Sequence, residues 1–227
     1  MIDKFVRTMA EAMDGIADGA TVLIGGFGAV GQPNALIDGL IEQGAKDLTI
    51  VLNNAGSGRV GVSRLMELRR VRRIVCSFPR SSDSTVFEEL YKAGLIELEL
   101  VPQGTLAERI RAAGAGIPAF YTATSVGTLL GQGKEERRFG ERNYVMEHAL
   151  PGDVALVEAW QADRWGNLTF RDSGRNFNPV MATAARLTIV QTQHVVELGD
   201  IPPEQVMTPG IHVDRVLHVP YGDPPLF

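Results

Sequence analysis

The stretch Thr21-Val22-Leu23-Ile24-Gly25-Gly26-Phe27-Gly28-Ala29-Val30-Gly31-Gln32-Pro33 changes texture twice. Its first four residues form a short run rich in β-branched side chains, the pattern of a buried strand. Four glycines then fall between Gly25 and Gly31, where a chain turns tightly or approaches a ligand closely. Pro33 suits the first turn of a helix running to Gln43. Leu36, Ile37, Leu40 and Ile41 lie on one stripe of that helix, and Gly44 suits its stop. A helix start presents free N–H groups and a partial positive charge, so the glycine loop reads as a cradle for an anion or phosphate. The plain alternative is a strand-to-helix turn with no ligand. A P-loop would end in Lys followed by Ser or Thr, and Pro33-Asn34 stands there instead. Gly26, Gly28 and Gly31 satisfy G-x-G-x-x-G, but the next predicted strand ends in Asn53-Asn54, not in the acid that holds a dinucleotide ribose.

Outward from this stretch, strand and helix textures alternate. Strands are predicted over 48–52, 73–78 and 97–101, and helices over 60–68, 83–93 and 106–113. Polar alternation marks 97–101 as the most exposed strand. Beyond Gly114 the texture shifts. Lys134 to Arg142 reads as a charged loop. Strand-like runs follow at 144–146, 154–160, 168–170, 187–190 and 213–219, with one helix near 179–185. The fold class expected is α/β: an open, mostly parallel sheet with helices on both faces, plus a smaller sheet-rich layer formed by the second half. Residues 1–227 are read as one domain, with an irregular tail over about 220–227.

Composition narrows the function classes. The chain has 227 residues and a net charge of −5, so clustered basic surface for nucleic acid is not expected. One cysteine, Cys76, excludes an intrachain disulfide. Its place in an apolar strand reads as core packing. No apolar run approaches the roughly 18 residues of a membrane helix, and no basic-then-apolar start is seen, so the cytoplasm is expected. His148, His194, His212 and His218 lack metal-ligand spacing, and no metal is expected.

Several segments together resemble the family I coenzyme A transferases, in their alpha chain. They are Asp18-Gly19-Ala20 leading into Thr21–Phe27 with Gly31-x-Pro33; Asn53-Asn54-Ala55-Gly56; Pro102-Gln103-Gly104-Thr105-Leu106; Ala115-Gly116-Ile117-Pro118; Ala162-Asp163-Arg164-Trp165-Gly166-Asn167; and Arg175-Asn176-Phe177-Asn178. The likeness runs to about Val219. Within that family, Cys76-Ser77-Phe78-Pro79-Arg80 with Ser82-Asp83-Ser84 looks most like the members that pair succinyl-CoA with 3-oxoadipate.

The resemblance implies the sugar-phosphate isomerase-like variant of this fold and a covalent mechanism. A glutamate attacks the acyl-CoA thioester and then carries coenzyme A as a glutamyl thioester. In the family that glutamate belongs to a B subunit, in a Ser-Glu-Asn-Gly motif absent from this sequence, so no nucleophile is assigned here. A B-subunit partner in an A2B2 assembly is implied. Coenzyme A enters as a thioester substrate, not as a permanent cofactor. The resemblance gives Gly25, Gly26, Phe27, Gly28, Ala29, Val30 and Gly31 to coenzyme A binding. It makes Gln103 an amide donor to the thioester oxyanion. Asn53 and Asn54 are read as substrate-positioning amides, against the plain reading of an Asx turn. Arg80 is read as the contact for a distal carboxylate.

Other signals read as structure. Asp163 to Asn167 is a turn between strands. Glu108, Arg109 and Arg111 form a solvated or subunit-facing helix side, and no Gly-x-Ser-x-Gly elbow occurs. Acetoacetate is the alternative acceptor. A non-catalytic ligand-sensing domain and an NAD-dependent oxidoreductase are the alternatives of other classes.

Overall fold

The computed structural model describes residues 2–80 and 83–220. In chain order the elements are β1 (Phe5–Val6), α1 (Met9–Met13), β2 (Thr21–Ile24), α2 (Asn34–Gln43), β3 (Leu48–Val51), α3 (Gly61–Glu67), β4 (Val71–Cys76), α4 (Thr85–Lys92) and β5 (Glu97–Leu100). They continue as α5 (Gln103–Gly114), β6 (Ala119–Thr122), β7 (Glu136–Phe139), β8 (Arg142–His148), β9 (Gly152–Ala162), β10 (Leu168–Thr169), α6 (Asn178–Ala182), β11 (Ala185–Val195) and β12 (Arg215–His218). The strand and helix alternation read from the first half is realised. The boundaries move by a few residues, and Pro33 sits just before α2, not inside it.

The main sheet has the order β1-β12-β11-β9-β2-β3-β4-β5, and neighbours along it run parallel. Among the described strands of this sheet only β10 departs, pairing antiparallel with β9. Val22 and Ile24 face the core shared with α1 to α4, whereas Leu23 faces the core shared with α5 and α6. A strand buried on both faces reads as an unbroken apolar run, which is why 21–24 shows no alternation. Starting at β2, the chain builds β3, β4 and β5 to one side and later β9, β11 and β12 to the other. The strand order therefore reverses between β2 and β9. In such sheets, ligands sit outside the carboxyl ends of the strands at that reversal.

Two expectations are corrected. The strands β9, β11 and β12 are not a second layer; they complete the main sheet. The smaller sheet comes instead from β6, β8 and β7, paired antiparallel. Residues 134–142, expected as a charged loop, supply strand β7 and its turn into β8. The turn read at Asp163–Asn167 is present. Asp163 accepts from the backbone N–H of Trp165 at 2.9 Å and of Asn167 at 3.0 Å. The tail expectation over 221–227 lies outside the described residues. No helix among the described residues is long and apolar enough to cross a membrane.

Arg109 is also corrected: it is buried. It reaches from α5 to Glu99 on β5 at 2.6 Å and donates to the His148 carbonyl on β8 at 2.8 Å. Lys134 pairs with buried Glu147 beside it. This ionic cluster fastens the small sheet to the edge of the large one. Burial is the largest influence on Glu99 and opposes its charge. The Arg109 hydrogen bond and the charges of Arg109, Arg73 and Lys134 outweigh it, so its pKa falls below the ordinary 4.5. A depressed carboxylate stabilises the fold fully above its unfolded pKa, and that contribution is lost as pH falls through the folded value. Glu99→Gln should therefore cost on the order of 1 kcal/mol at pH 7. Its urea midpoint should fall less steeply than the parent's between pH 5 and pH 3. Parallel profiles would show that Glu99 carries no such charge coupling.

Candidate functional site at the carboxyl ends of the strands

The glycine stretch leaves β2 and folds into a two-residue hairpin. Phe27 and Val30 exchange hydrogen bonds, at 3.0 Å from the Phe27 N–H and 3.2 Å from the Val30 N–H. Gly28, the first residue of its tip, has φ +62°, and Ala29 is not in the left-handed region. Positive φ at the first tip position alone is the type II′ requirement, which glycine meets without strain. The hairpin exposes apolar side chains at its legs, with Phe27 at 50% exposure. It stands between two cavities. One, of about 620 Å³, is bounded by Gly28, Ala29, Asn54 and Val60. The other, of about 290 Å³, is bounded by Ala29, Val30, Glu158 and Trp160.

Asn53 and Asn54 follow β3 next to this hairpin, and they differ. Asn53 is 3% exposed, too buried to meet a substrate. Its Oδ1 accepts from Ser77 Oγ at 2.8 Å and from Gln103 Nε2 at 2.8 Å. Its carbonyl accepts from the Ser77 and Phe78 N–H groups. Asn53 therefore ties the ends of β3 and β4 to the start of α5. Asn54 is the partly exposed amide, and it faces the larger cavity.

Gln103 is exposed at the first position of α5. A primary amide carries two N–H donors. One of Gln103's is donated to Asn53 Oδ1. Gln103 and Asn53 border neither cavity; Asn54, the next residue after Asn53, is the one of the three that lines the larger one.

Arg80, read as the contact for a distal carboxylate, is paired with an acid of this chain. Its Nε and Nη2 donate to the two Glu88 carboxylate oxygens of α4, each at 3.1 Å. The pair raises the pKa of Arg80 and lowers that of Glu88. Arg80's side chain is 70% exposed, and its charge serves a surface ion pair. Ser82 lies outside the described residues. Cys76 is fully buried, and burial pushes its thiol up to about 12 against a weaker opposing hydrogen bond from the Phe78 backbone. Only a thiolate is a good nucleophile. Iodoacetamide at pH 8 should therefore leave Cys76 unmodified in the folded protein and alkylate it in denaturant; rapid native alkylation would contradict this.

Two residues of the site carry no role in the sequence reading. Asn176 Oδ1 accepts from the Gly26 N–H at 3.1 Å, and its Nδ2 donates to the Val30 carbonyl at 3.0 Å. Asn178, fully buried, donates to the Gly31 carbonyl at 2.8 Å and accepts from the Glu158 N–H at 3.1 Å. They belong to the Arg175–Asn178 motif, but their partners lie about 150 residues away in sequence, beyond the reach of local patterns.

Comparisons with known proteins bear on this arrangement. The model of the family described as "Coenzyme A transferase" matches residues 6–218. The chain is 57% identical, over 96% of its length and 95% of the relative's, to a Pseudomonas putida protein named as the A subunit of 3-oxoadipate CoA-transferase. It is 50% identical, over 94% of its length and 88% of the relative's, to a Xanthomonas campestris protein named as the A subunit of succinyl-CoA:3-ketoacid coenzyme A transferase. Among solved structures, an acyl-CoA transferase of Escherichia coli O157:H7, crystallised as a thioester complex with CoA, superposes with a TM-score of 0.85 at 24% identity. The match covers 98% of this chain and spans about half of that one, 49%.

Proposed function

The chain belongs to the coenzyme A transferase family, and on that premise we propose that it is the A subunit of an enzyme moving coenzyme A from succinyl-CoA to 3-oxoadipate. Its partner is a B subunit that carries the nucleophilic glutamate, in a cytoplasmic A2B2 assembly. No permanent cofactor takes part; coenzyme A passes through as a thioester. The observation that carries this reading is the amide bracket Ser77–Asn53–Gln103 at the carboxyl ends of β3 and β4, next to Asn54, which shares the larger cavity with the glycine hairpin. It holds one donor in place, where an oxyanion could accept from it.

In the proposed reaction, the partner's glutamate attacks the thioester carbonyl of succinyl-CoA. The carbonyl oxygen gains negative charge and accepts a hydrogen bond from Gln103. Collapse expels coenzyme A thiolate and leaves a mixed anhydride. The thiolate then attacks the glutamyl carbonyl, releasing succinate and leaving a glutamyl-CoA thioester. The carboxylate of 3-oxoadipate attacks that thioester, and the same two steps run in reverse. Gln103 acts in the charged intermediates, where a preorganised donor contributes most. Asn53 acts through Gln103, and Asn54 lines the space for the acyl chain. The backbone of residues 25–31 lies against the coenzyme A arm.

Acetoacetate is the second acceptor to consider, because the Xanthomonas campestris relative carries a 3-ketoacid name. The Arg80–Glu88 pair also sets an acid beside the guanidinium that would meet a second carboxylate. Co-purification with the B subunit, then exchange assays from succinyl-CoA to each acceptor, tests the reading. Turnover that needs both chains and a higher kcat/KM for 3-oxoadipate is expected. A higher value for acetoacetate would replace the substrate, and no exchange with any CoA ester would overturn the reading.

A further inference from the structure

We infer that Asn176 and Asn178 form a clamp that sets the position of the glycine hairpin, and that they are positioning residues for acyl transfer. The two side chains grip the hairpin at its base. Asn176 touches both legs, accepting from Gly26 on the way in and donating to Val30 on the way out. Its second donor goes to the Ser173 carbonyl at 2.8 Å, and its oxygen also accepts from the Phe177 N–H. Asn178 holds the following residue, Gly31, and spends its other donor on the Gly174 carbonyl at 2.8 Å. Each amide uses both donors and its acceptor. Aspartate has no donors and would set a charge against carbonyl oxygens; alanine would remove every one of these bonds.

Packing agrees with the hydrogen bonds. A Cβ on Gly25 would lie 1.8 Å from Asn178 Oδ1, and one on Gly31 would lie 3.0 Å from Asn176 Nδ2 and 2.5 Å from the Gly174 carbonyl oxygen. The glycines there let the loop backbone rest directly on the amides. Asn178 is itself fixed from below: its oxygen accepts from the Glu158 backbone, and the Glu158 carboxylate accepts from Gln193 at 2.7 Å and Gln191 at 3.3 Å. Gln191 in turn accepts from the Leu36 N–H in the first turn of α2. One buried polar network thus joins β9, β11, α2 and the hairpin base. Among the described backbone hydrogen bonds, those of the hairpin legs Phe27 and Val30 are the ones they exchange with each other, so the clamp decides where the tip stands. The tip divides the two cavities, and whatever moves it reshapes both.

The catalytic half of this inference rests on the transferase reading above; the structural half does not. The test is Asn176→Ala in the assembled two-subunit enzyme, read by amide hydrogen exchange and by steady-state kinetics. Exchange at Gly26, Phe27 and Val30 is expected to quicken at least tenfold, while Val22 and Leu23 in β2 stay protected. A misplacement near 1 Å can cost about 10²-fold, so kcat should fall by about that factor with KM changed far less. Asn176→Ser, which keeps a short acceptor toward Gly26, should fall between the parent and alanine in both readouts, and it serves as the test if the alanine variant does not assemble. Unchanged hairpin exchange would overturn the clamp. Faster exchange with unchanged kcat would overturn the positioning role. If the parent complex transfers no coenzyme A, the exchange result still decides the clamp, so the two failures are distinguishable.

Discussion

Gln103→Ala is expected to lower kcat of the assembled enzyme by about 10²–10³-fold, equivalent to about 2.7–4 kcal/mol of lost transition-state stabilisation. The side chain stands exposed at the start of α5, so its removal leaves no cavity and should shift thermal stability little. Its donor is aimed by Asn53, which is itself held by Ser77 and by the β4 backbone. A preorganised donor stabilises charge that exists only during reaction, so KM should move far less than kcat. Asn53→Ala should give a smaller loss of the same kind, because it frees the Gln103 amide without deleting it. Asn53 is buried, however, so that variant should also lose stability. Steady-state kinetics on the two variants, beside thermal melts, separate the roles. A raised KM with kcat unchanged for Gln103→Ala would argue for simple substrate binding.

Gly25→Ala is the second variant with a large expected effect. The added methyl would start 1.8 Å from the Oδ1 of Asn178, a residue with no exposure. Something must move, and nothing near is a flexible side-chain end. Overpacking costs about 1–3 kcal/mol, and turning the Asn178 amide would strand buried donors at about 1–3 kcal/mol more. A loss of about 2–6 kcal/mol in urea unfolding is therefore expected, with near-complete loss of transfer activity because the hairpin shifts. Gly28→Ala is the control. It has open space around the new methyl, so its cost should come only from positive φ, about 1 kcal/mol. Similar losses for both would mean that close approach to Asn178 is not the constraint.

The sequence made some features readable and hid others for physical reasons. The run 21–24 and the glycines after it showed strand, turn and helix because each depends on neighbouring residues. Strands β9 and β11 were found as strands but placed in the wrong layer. β9 pairs with β2 across more than a hundred residues and β11 joins the sheet through β9, and an apolar run does not say which strand lies beside it. The 134–142 segment misled because its strand is exposed along its whole length and charged, which looks like a loop. Arg109 reads as surface by type, and only the fold brings Glu99, Glu147 and the His148 carbonyl around it. Arg80's partner, Glu88, sits close by on the next helix and could have been anticipated. Asn176 and Asn178 could not, because what gives them a role is the backbone of a loop at the far end of the chain.

The division of labour between two chains can be read directly by intact-mass spectrometry of the co-purified complex after brief incubation with succinyl-CoA. A mass increase equal to coenzyme A less one water, the mark of a thioester, is predicted on the partner chain, reversed by added succinate, with this chain's mass unchanged. A coenzyme A adduct on this chain, or its formation when this chain is incubated alone, would contradict the account.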